Sequence, residues 1–155
     1  MADVLTLEQR RFNMSRIRGR DTKPELTLRS GLHGRGLRFR LHRKDLPGCP
    51  DLVFPCFGAV VFVHGCFWHG HDCPMFKLPT TRAEFWAAKI SANRARDGRA
   101  RVSLAGAGWR TMVLWECALR GPSRLPAEAV LDDIVGWLHT EEPDGVVQGR
   151  WNPVP

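Results

Sequence analysis

The chain has 155 residues, the length of one ordinary domain, and 43% of them are hydrophobic, enough for a buried core. No apolar run approaches the roughly 18 residues needed to cross a bilayer, and residues 1–11 carry no secretory core, so the expectation is a soluble cytoplasmic protein with no membrane partner. The net charge of +7 comes from 23 Lys and Arg, only four of them Lys, and the odd count of five cysteines speaks against a disulfide framework.

Residues 6–18 read as a short basic helix or arm, and 19–23 as a break. Pro24 suits the first turn of a helix over 25–34 that turns Leu26, Leu28 and Leu32 inward. Phe39 and Leu41 alternate with Arg38, Arg40 and His42, the pattern of a strand. Pro47-Gly48-Cys49-Pro50 is a turn, followed by two short β-rich runs at 51–54 and 59–64, expected to be neighbours. A long helix is expected over 82–106, capped by Thr80 or Thr81 and ended by Gly106 and Gly108. Residues 109–117 read as another strand. A helix over 126–139 should bury Val130, Ile134 and Trp137, with 141–155 frayed. The expectation is an α/β fold, a single domain with a small mixed β-sheet flanked by helices.

Charge is unevenly spread. Residues 1–50 hold 12 basic against 5 acidic side chains, 82–101 hold 6 against 2, and 126–155 hold 1 against 6. A basic N-terminal half with an acidic tail suits a nucleic-acid binder; solubility in an Arg-rich protein is the plainer explanation.

The densest chemistry lies at 64–73, His-Gly-Cys-Phe-Trp-His-Gly-His-Asp-Cys. Cys66, His71 and Cys73 sit in one loop, and Cys117 supplies a fourth soft ligand from a distant strand. Cys3His around a tetrahedral ion is a closed, structural zinc arrangement with no open position for substrate. The competing reading is a buried thiol pair with surface histidines. Cys49 and Cys56 read as ordinary small residues.

Asp51 opens a strand beside one ending at His64, a placement that suits a hard carboxylate ligand for Mg2+. A water activated at such an ion attacks a phosphodiester if a base takes its proton, and His69, fixed between ligand residues, is positioned for that. Glu25 can hold a water or orient a histidine. Each has a plainer alternative: a turn carboxylate for Asp51, supporting or surface histidines for His64 and His69, and a first-turn acid for Glu25. Phe67, Trp68 and Trp86 can stack on or wedge between bases, or pack in the core. Trp109, Trp115 and Trp137 read as core. Lys89, Asn93 and Arg96 share a helix face that can reach base edges or simply be solvated.

Four segments carry a resemblance: Leu-Pro-Gly-Cys-Pro-Asp-Leu-Val at 46–53, Val-Phe-Val-His-Gly-Cys-Phe-Trp-His-Gly-His-Asp-Cys at 61–73, Glu-Phe-Trp-Ala-Ala-Lys-Ile at 84–90, and Gly-Trp-Arg-Thr-Met-Val-Leu-Trp-Glu-Cys-Ala-Leu at 108–119. With Asn13-Met14 and Arg20-Asp21-Thr22, they resemble the very-short-patch repair endonucleases, the Vsr family, across about residues 8–140. The resemblance implies a restriction-endonuclease-like fold over 1–140, with 1–20 as a DNA-contacting arm and 141–155 as a flexible acidic tail. It implies a bacterial, nucleoid-associated enzyme that nicks 5′ to the T of a T·G mismatch left by 5-methylcytosine deamination. On this chain Asp51 would bind Mg2+ with a backbone carbonyl near Val63, His69 would be the general base, and Glu25 and His64 would assist. Cys66, His71, Cys73 and Cys117 would hold zinc. Phe67, Trp68 and Trp86 would wedge from the major groove, Met14 would probe the minor groove, and Lys89 and Asn93 would lie near the mismatched pair. Double-stranded DNA is the implied partner, with other mismatch-repair proteins and a repair polymerase acting around the nick, and a monomer is expected. Two departures stand out: Phe62, Val63 and His64 replace the acid and lysine of restriction enzymes, and Cys49 stands where the turn commonly carries a basic residue. Competing functions are a restriction-type endonuclease acting on matched or modified DNA, and a zinc-stabilised DNA-binding module without catalysis.

Overall fold

A computed structural model describes residues 23–151. Met14, the expected arm over 1–20 and the last four residues lie outside the described residues. The order is α1 (Lys23–Gly34), β1 (Arg40–Leu41), β2 (Leu52–Phe54), β3 (Ala59–His64), α2 (Ala83–Gly106), β4 (Arg110–Trp115), α3 (Ala127–Leu138) and β5 (Asp144–Val147). The five strands form one sheet in sequence order. β1, β2 and β3 run antiparallel, whereas β3–β4 and β4–β5 are parallel, joined through α2 and α3. This is the expected small mixed α/β domain. No helix among the described residues is long and apolar enough to cross a membrane.

The main core lies on one face of the sheet. Leu28 and Leu32 of α1, and Val130, Ile134 and Trp137 of α3, pack on Leu52, Phe54, Val61, Met112 and Leu114. Leu26 does not join them and is 45% exposed. At 100° per residue it lies opposite Leu28, whereas Glu25, Leu28 and Leu32 form a single stripe at i, i+3, i+7. The opposite face holds a smaller cluster of Val53, Val60, Phe62, Leu104 and Val113. Over its 24 residues α2 buries only Ile90 and Leu104, so most of this basic helix stands clear of the core. Its N-cap residue is Arg82, in the left-handed region at φ 56 and without a side-chain cap, rather than Thr80 or Thr81.

Two further expectations are corrected. The strand read over 109–117 ends at Trp115, and a 3-10 turn over Glu116–Ala118 swings Cys117 into the interior. Residues 144–147, expected within a frayed acidic tail, form β5 on the open edge of β4, with Val147 buried. The acidic composition concealed a short Gly-Val-Val run that completes the sheet. Truncating the chain after residue 141 removes that burial and a ladder of hydrogen bonds, together worth about 3 kcal/mol or more. The shortened protein should melt several degrees lower by circular dichroism; an unchanged melting temperature would show that β5 adds nothing.

Candidate active site and metal cluster

Parallel pairing places His64 opposite Trp115 at the ends of β3 and β4, and the 65–73 loop begins there. The loop turns back tightly: His69 N–H donates to the Gly65 carbonyl at 3.2 Å and His71 N–H to that of Cys66 at 2.9 Å. Gly70 has φ 63, and a Cβ there would lie 2.7 Å from Ile90, so the loop can approach α2 only with glycine at this position.

The side chains of Cys66, His71, Cys73 and Cys117 converge, each offering a ligand atom within 4.8 Å of the others. The Nδ1 atom of His71 lies 3.6 Å from Cys66 Sγ and 3.7 Å from Cys117 Sγ. A tetrahedral ion with bonds of about 2.3 Å to sulfur and 2.0 Å to nitrogen holds such atoms roughly 3.6 Å apart, so the donor set fits zinc. Supporting contacts come from the C-terminal segment. His71 Nε2–H donates to Gln148 Oε1 at 2.9 Å, which leaves Nδ1 bare toward the sulfurs. Gly149 N–H donates to Cys117 Sγ at 3.3 Å, and a Cβ on Gly149 would come within 2.5 Å of the Cys117 carbonyl. Burial pushes the Cys66 and Cys117 thiols up, so ionising the two side by side calls for a cation. Trp115, read as core, stacks on His71 at 4.0 Å and meets the edge of His64 at 5.3 Å.

On the other side of the loop, the His69 ring lies flat on His64, with centroids 3.8 Å apart and planes 3° from parallel. Its Nδ1 meets Asp97 Oδ2 of α2 at 2.6 Å. Burial, followed by repulsion from His69, lowers His64 to about 3, so this ring stays neutral beneath its neighbour. Burial raises Asp97, but the His69 hydrogen bond and the nearby histidines outweigh it and hold the carboxylate below its usual range.

Asp51 precedes β2 and accepts the Val63 N–H through Oδ2 at 2.6 Å. Burial, reinforced by the nearby Glu25 charge, raises it to about 6 against the opposing Val63 bond. Glu25 is only 2% exposed and receives both Arg29 and His42 on Oε1. His42 Nε2 also lies 3.7 Å from Asp51 Oδ1, and these three side chains form a second cluster of possible metal ligands. A cleft of about 950 Å3 is lined by His42, Asp51, His64, His69, Asn93 and Asp97 among others. Cys49, in the left-handed region at φ 49, lies on its wall.

The expected stacking residues also gather. Phe67, Trp68 and Trp86 have centroid separations of 5.1–5.8 Å, all half-exposed. The Lys89 ammonium lies 5.7 Å over Trp68, and Asn93 Nδ2 donates to the Trp68 carbonyl at 2.9 Å. The histidines, cysteines and aromatics singled out by sequence at 64–73 therefore gather with Cys117 and the N-terminal half of α2, whereas Glu25 and Asp51 form a separate cluster with His42. Sequence reasoning missed Asp97, although it stands one turn past Asn93 on the same face. It also missed His42, hidden in an alternating run, and Gln148 and Gly149, hidden in the acidic segment.

A cleft that joins the part-buried Asp51 to an acid-supported histidine, beside a basic helix, is an arrangement suited to a hydrolytic nuclease. The family model described as DNA mismatch endonuclease Vsr matches residues 2–75. The type II nicking enzyme V.XorIIP of Xanthomonas oryzae pv. oryzae is 54% identical over 127 residues, 82% of this chain and 93% of that protein. DNA mismatch endonuclease Vsr of Escherichia coli is 47% identical over 138 residues, 89% of this chain and 88% of that protein. The type II nicking enzyme V.NmeAIP of Neisseria meningitidis is 39% identical over 120 residues, 77% and 86% of the two chains. The chain belongs to the Vsr family of DNA mismatch endonucleases.

Two outcomes are expected from this geometry. Cys117→Ser should release bound zinc, measured by elemental analysis, and lower the melting temperature by ten degrees or so; a full zinc complement in the variant would remove Cys117 from the set. Asp51→Asn should stabilise the protein in buffer without added divalent cation. Asp51 sits at about 6 in the fold against an ordinary 3.8. It is protonated in both folded and unfolded chains below about pH 4, so its cost is absent there. The cost grows between those two values and is complete above the higher one, on the order of 1–3 kcal/mol. The variant should therefore melt higher at pH 8 and equal the parent at pH 4; no gain at pH 8 would contradict the account.

Proposed function

We propose that this protein is a strand-specific endonuclease that nicks double-stranded DNA 5′ to the T of a T·G mismatch arising from 5-methylcytosine deamination. The observation that carries this reading is that Asp51 and the His69–Asp97 pair line one cleft on a chain of the Vsr family. Asp51 and Glu25, with the carbonyl of Val63, are the groups that would hold Mg2+. In a ladder a residue's N–H and C=O face the same edge, and the Val63 N–H already faces Asp51. The bound ion would polarise the scissile phosphate and stabilise the leaving 3′ oxygen.

The chain's own groups move the proton. Asp97 accepts the Nδ1–H of His69, which leaves Nε2 bare to take a proton from water. The water oxygen bonds to phosphorus as the P–O3′ bond breaks, giving a 5′-phosphate and a 3′-hydroxyl. His64, kept neutral, supports the ring face and adds no positive charge against the imidazolium that forms. Zinc at Cys66, His71, Cys73 and Cys117 fixes the loop. The half-exposed Phe67, Trp68 and Trp86 wedge beside the mismatch, Lys89 and Asn93 lie near the mismatched pair, and Met14 probes from the minor groove. A wobble pair is easier to unstack than a matched pair, and that difference supplies selectivity. The same reading includes a restriction-endonuclease-like kinship of the sheet, action as a monomer on an asymmetric lesion, and a place on the bacterial nucleoid in the cytoplasm. Other mismatch-repair proteins and a repair polymerase would then use the nick.

End-labelled duplexes with a single T·G mismatch in varied flanking contexts test this proposal against matched controls in Mg2+. A nick in the T strand alone is expected. Asp51→Ala should abolish nicking while mismatch binding persists, and Asp97→Asn should slow it by 100-fold or more. Cleavage of both strands in matched DNA would favour a restriction enzyme, and binding without cleavage would leave a non-catalytic module.

A further inference from the structure

We propose that His42 is a nitrogen ligand of the catalytic divalent-cation site, which makes the site a better host for Mn2+ than an all-oxygen set would be. The inference rests on the reading of Asp51 as a cation ligand. His42 follows β1 at φ 44, a left-handed conformation that is uncommon for a residue with a Cβ. Its N–H donates to the Asp51 carbonyl at 3.2 Å, so the turn is tied to the residue that carries the site. The imidazole points inward, 12% exposed, with Nε2 against Glu25 Oε1 and 3.7 Å from Asp51 Oδ1.

Two ligands on an octahedral ion with bonds of about 2.1 Å stand about 3.0 Å apart when cis and 4.2 Å when trans. His42 Nε2 and Asp51 Oδ1, 3.7 Å apart, reach the cis separation by closing about 0.7 Å, and all three ligand atoms fall within 4.8 Å of one another. Asp51 has its other oxygen on the Val63 N–H, so Oδ1 is the atom that faces His42. Arg29 also reaches Glu25 Oε1 and lies 3.3 Å from His42 Nε2, which places the cation on the Asp51 side of the ring. Ligation requires the imidazole proton on Nδ1, with Nε2 turned from Glu25 to the ion. Imidazole binds later first-row ions more strongly than Mg2+, so the added nitrogen shifts preference toward Mn2+.

The test uses the zinc-loaded full chain and Mn2+. Electron spin-echo spectroscopy of bound Mn2+ should show a directly bonded imidazole nitrogen, which His42→Asn should remove. Asparagine accepts the left-handed backbone, so the variant should fold, and His42→Gln provides a second check. The Kd for Mn2+ should rise tenfold or more, while that for Mg2+ changes less than about twofold. A nitrogen signal that survives both variants, or none in the parent, would overturn the inference, as would equal weakening of both ions, the mark of a residue that only positions Glu25. Mn2+ binding that is unaffected by Asp51→Ala would instead overturn the cation-site reading itself.

Discussion

The structure depends on four side chains closing on one point. Cys66, His71 and Cys73 lie within an eight-residue loop whose two large aromatics, Phe67 and Trp68, stay half-exposed, and Cys117 is brought to them by a 3-10 turn at the end of β4. A loop of this composition gains little from hydrophobic packing, so a metal-ligand set is what can hold it to the sheet. Once it is held, His69 has few positions open to it: it lies on His64 below and meets Asp97 at the side. The half-exposed aromatics Phe67 and Trp68 are carried by the same turn, so they and the His69–Asp97 pair share one support.

Electrostatics divides the cleft into two parts. Around His69, burial keeps His64 uncharged while the His69 hydrogen bond keeps Asp97 ionised against its burial, so a proton arriving at His69 is balanced by a carboxylate and opposed by no neighbouring imidazolium. Around Asp51, burial and Glu25 work against ionisation, and the arrangement is unfavourable until positive charge enters. The fold thus retains an acid, Asp51, whose ionisation weakens it when no cation is near, a common cost of a functional site. Arg96 and Arg101 of the basic helix α2 line the same cleft.

Much of this was legible from sequence because the chemistry is concentrated. The ligand spacing at 66–73, the Asp51 turn and the strand ending at His64 all lie in segments whose local pattern fixes both element and residue type. Leu26 looks like a core residue beside Leu28 and Leu32, but at 100° per residue it lies opposite Leu28 and stays exposed. The role of Trp115 was hidden because a tryptophan in an apolar strand reads as core, whereas its register opposite His64 brings it to both histidines. His42 and Asp97 look like solvated residues in charged stretches, and only the approach of β1 and α2 to β2 and the loop reveals their partners. The β5 segment was lost in acidic composition, and with it the Gln148 and Gly149 contacts that support the metal cluster.

The central claim is that the metal-closed loop sets the tautomer and position of His69. Nitrogen-15 NMR of the histidine side chains, with zinc bound and after its removal, tests this most directly. The account predicts a His69 ring protonated at Nδ1 and bare at Nε2 with zinc present, and loss of that defined state on chelation while the amides of β3 and β4 remain protected. A His69 protonated at Nε2, or one whose signals do not change when zinc leaves, would contradict it.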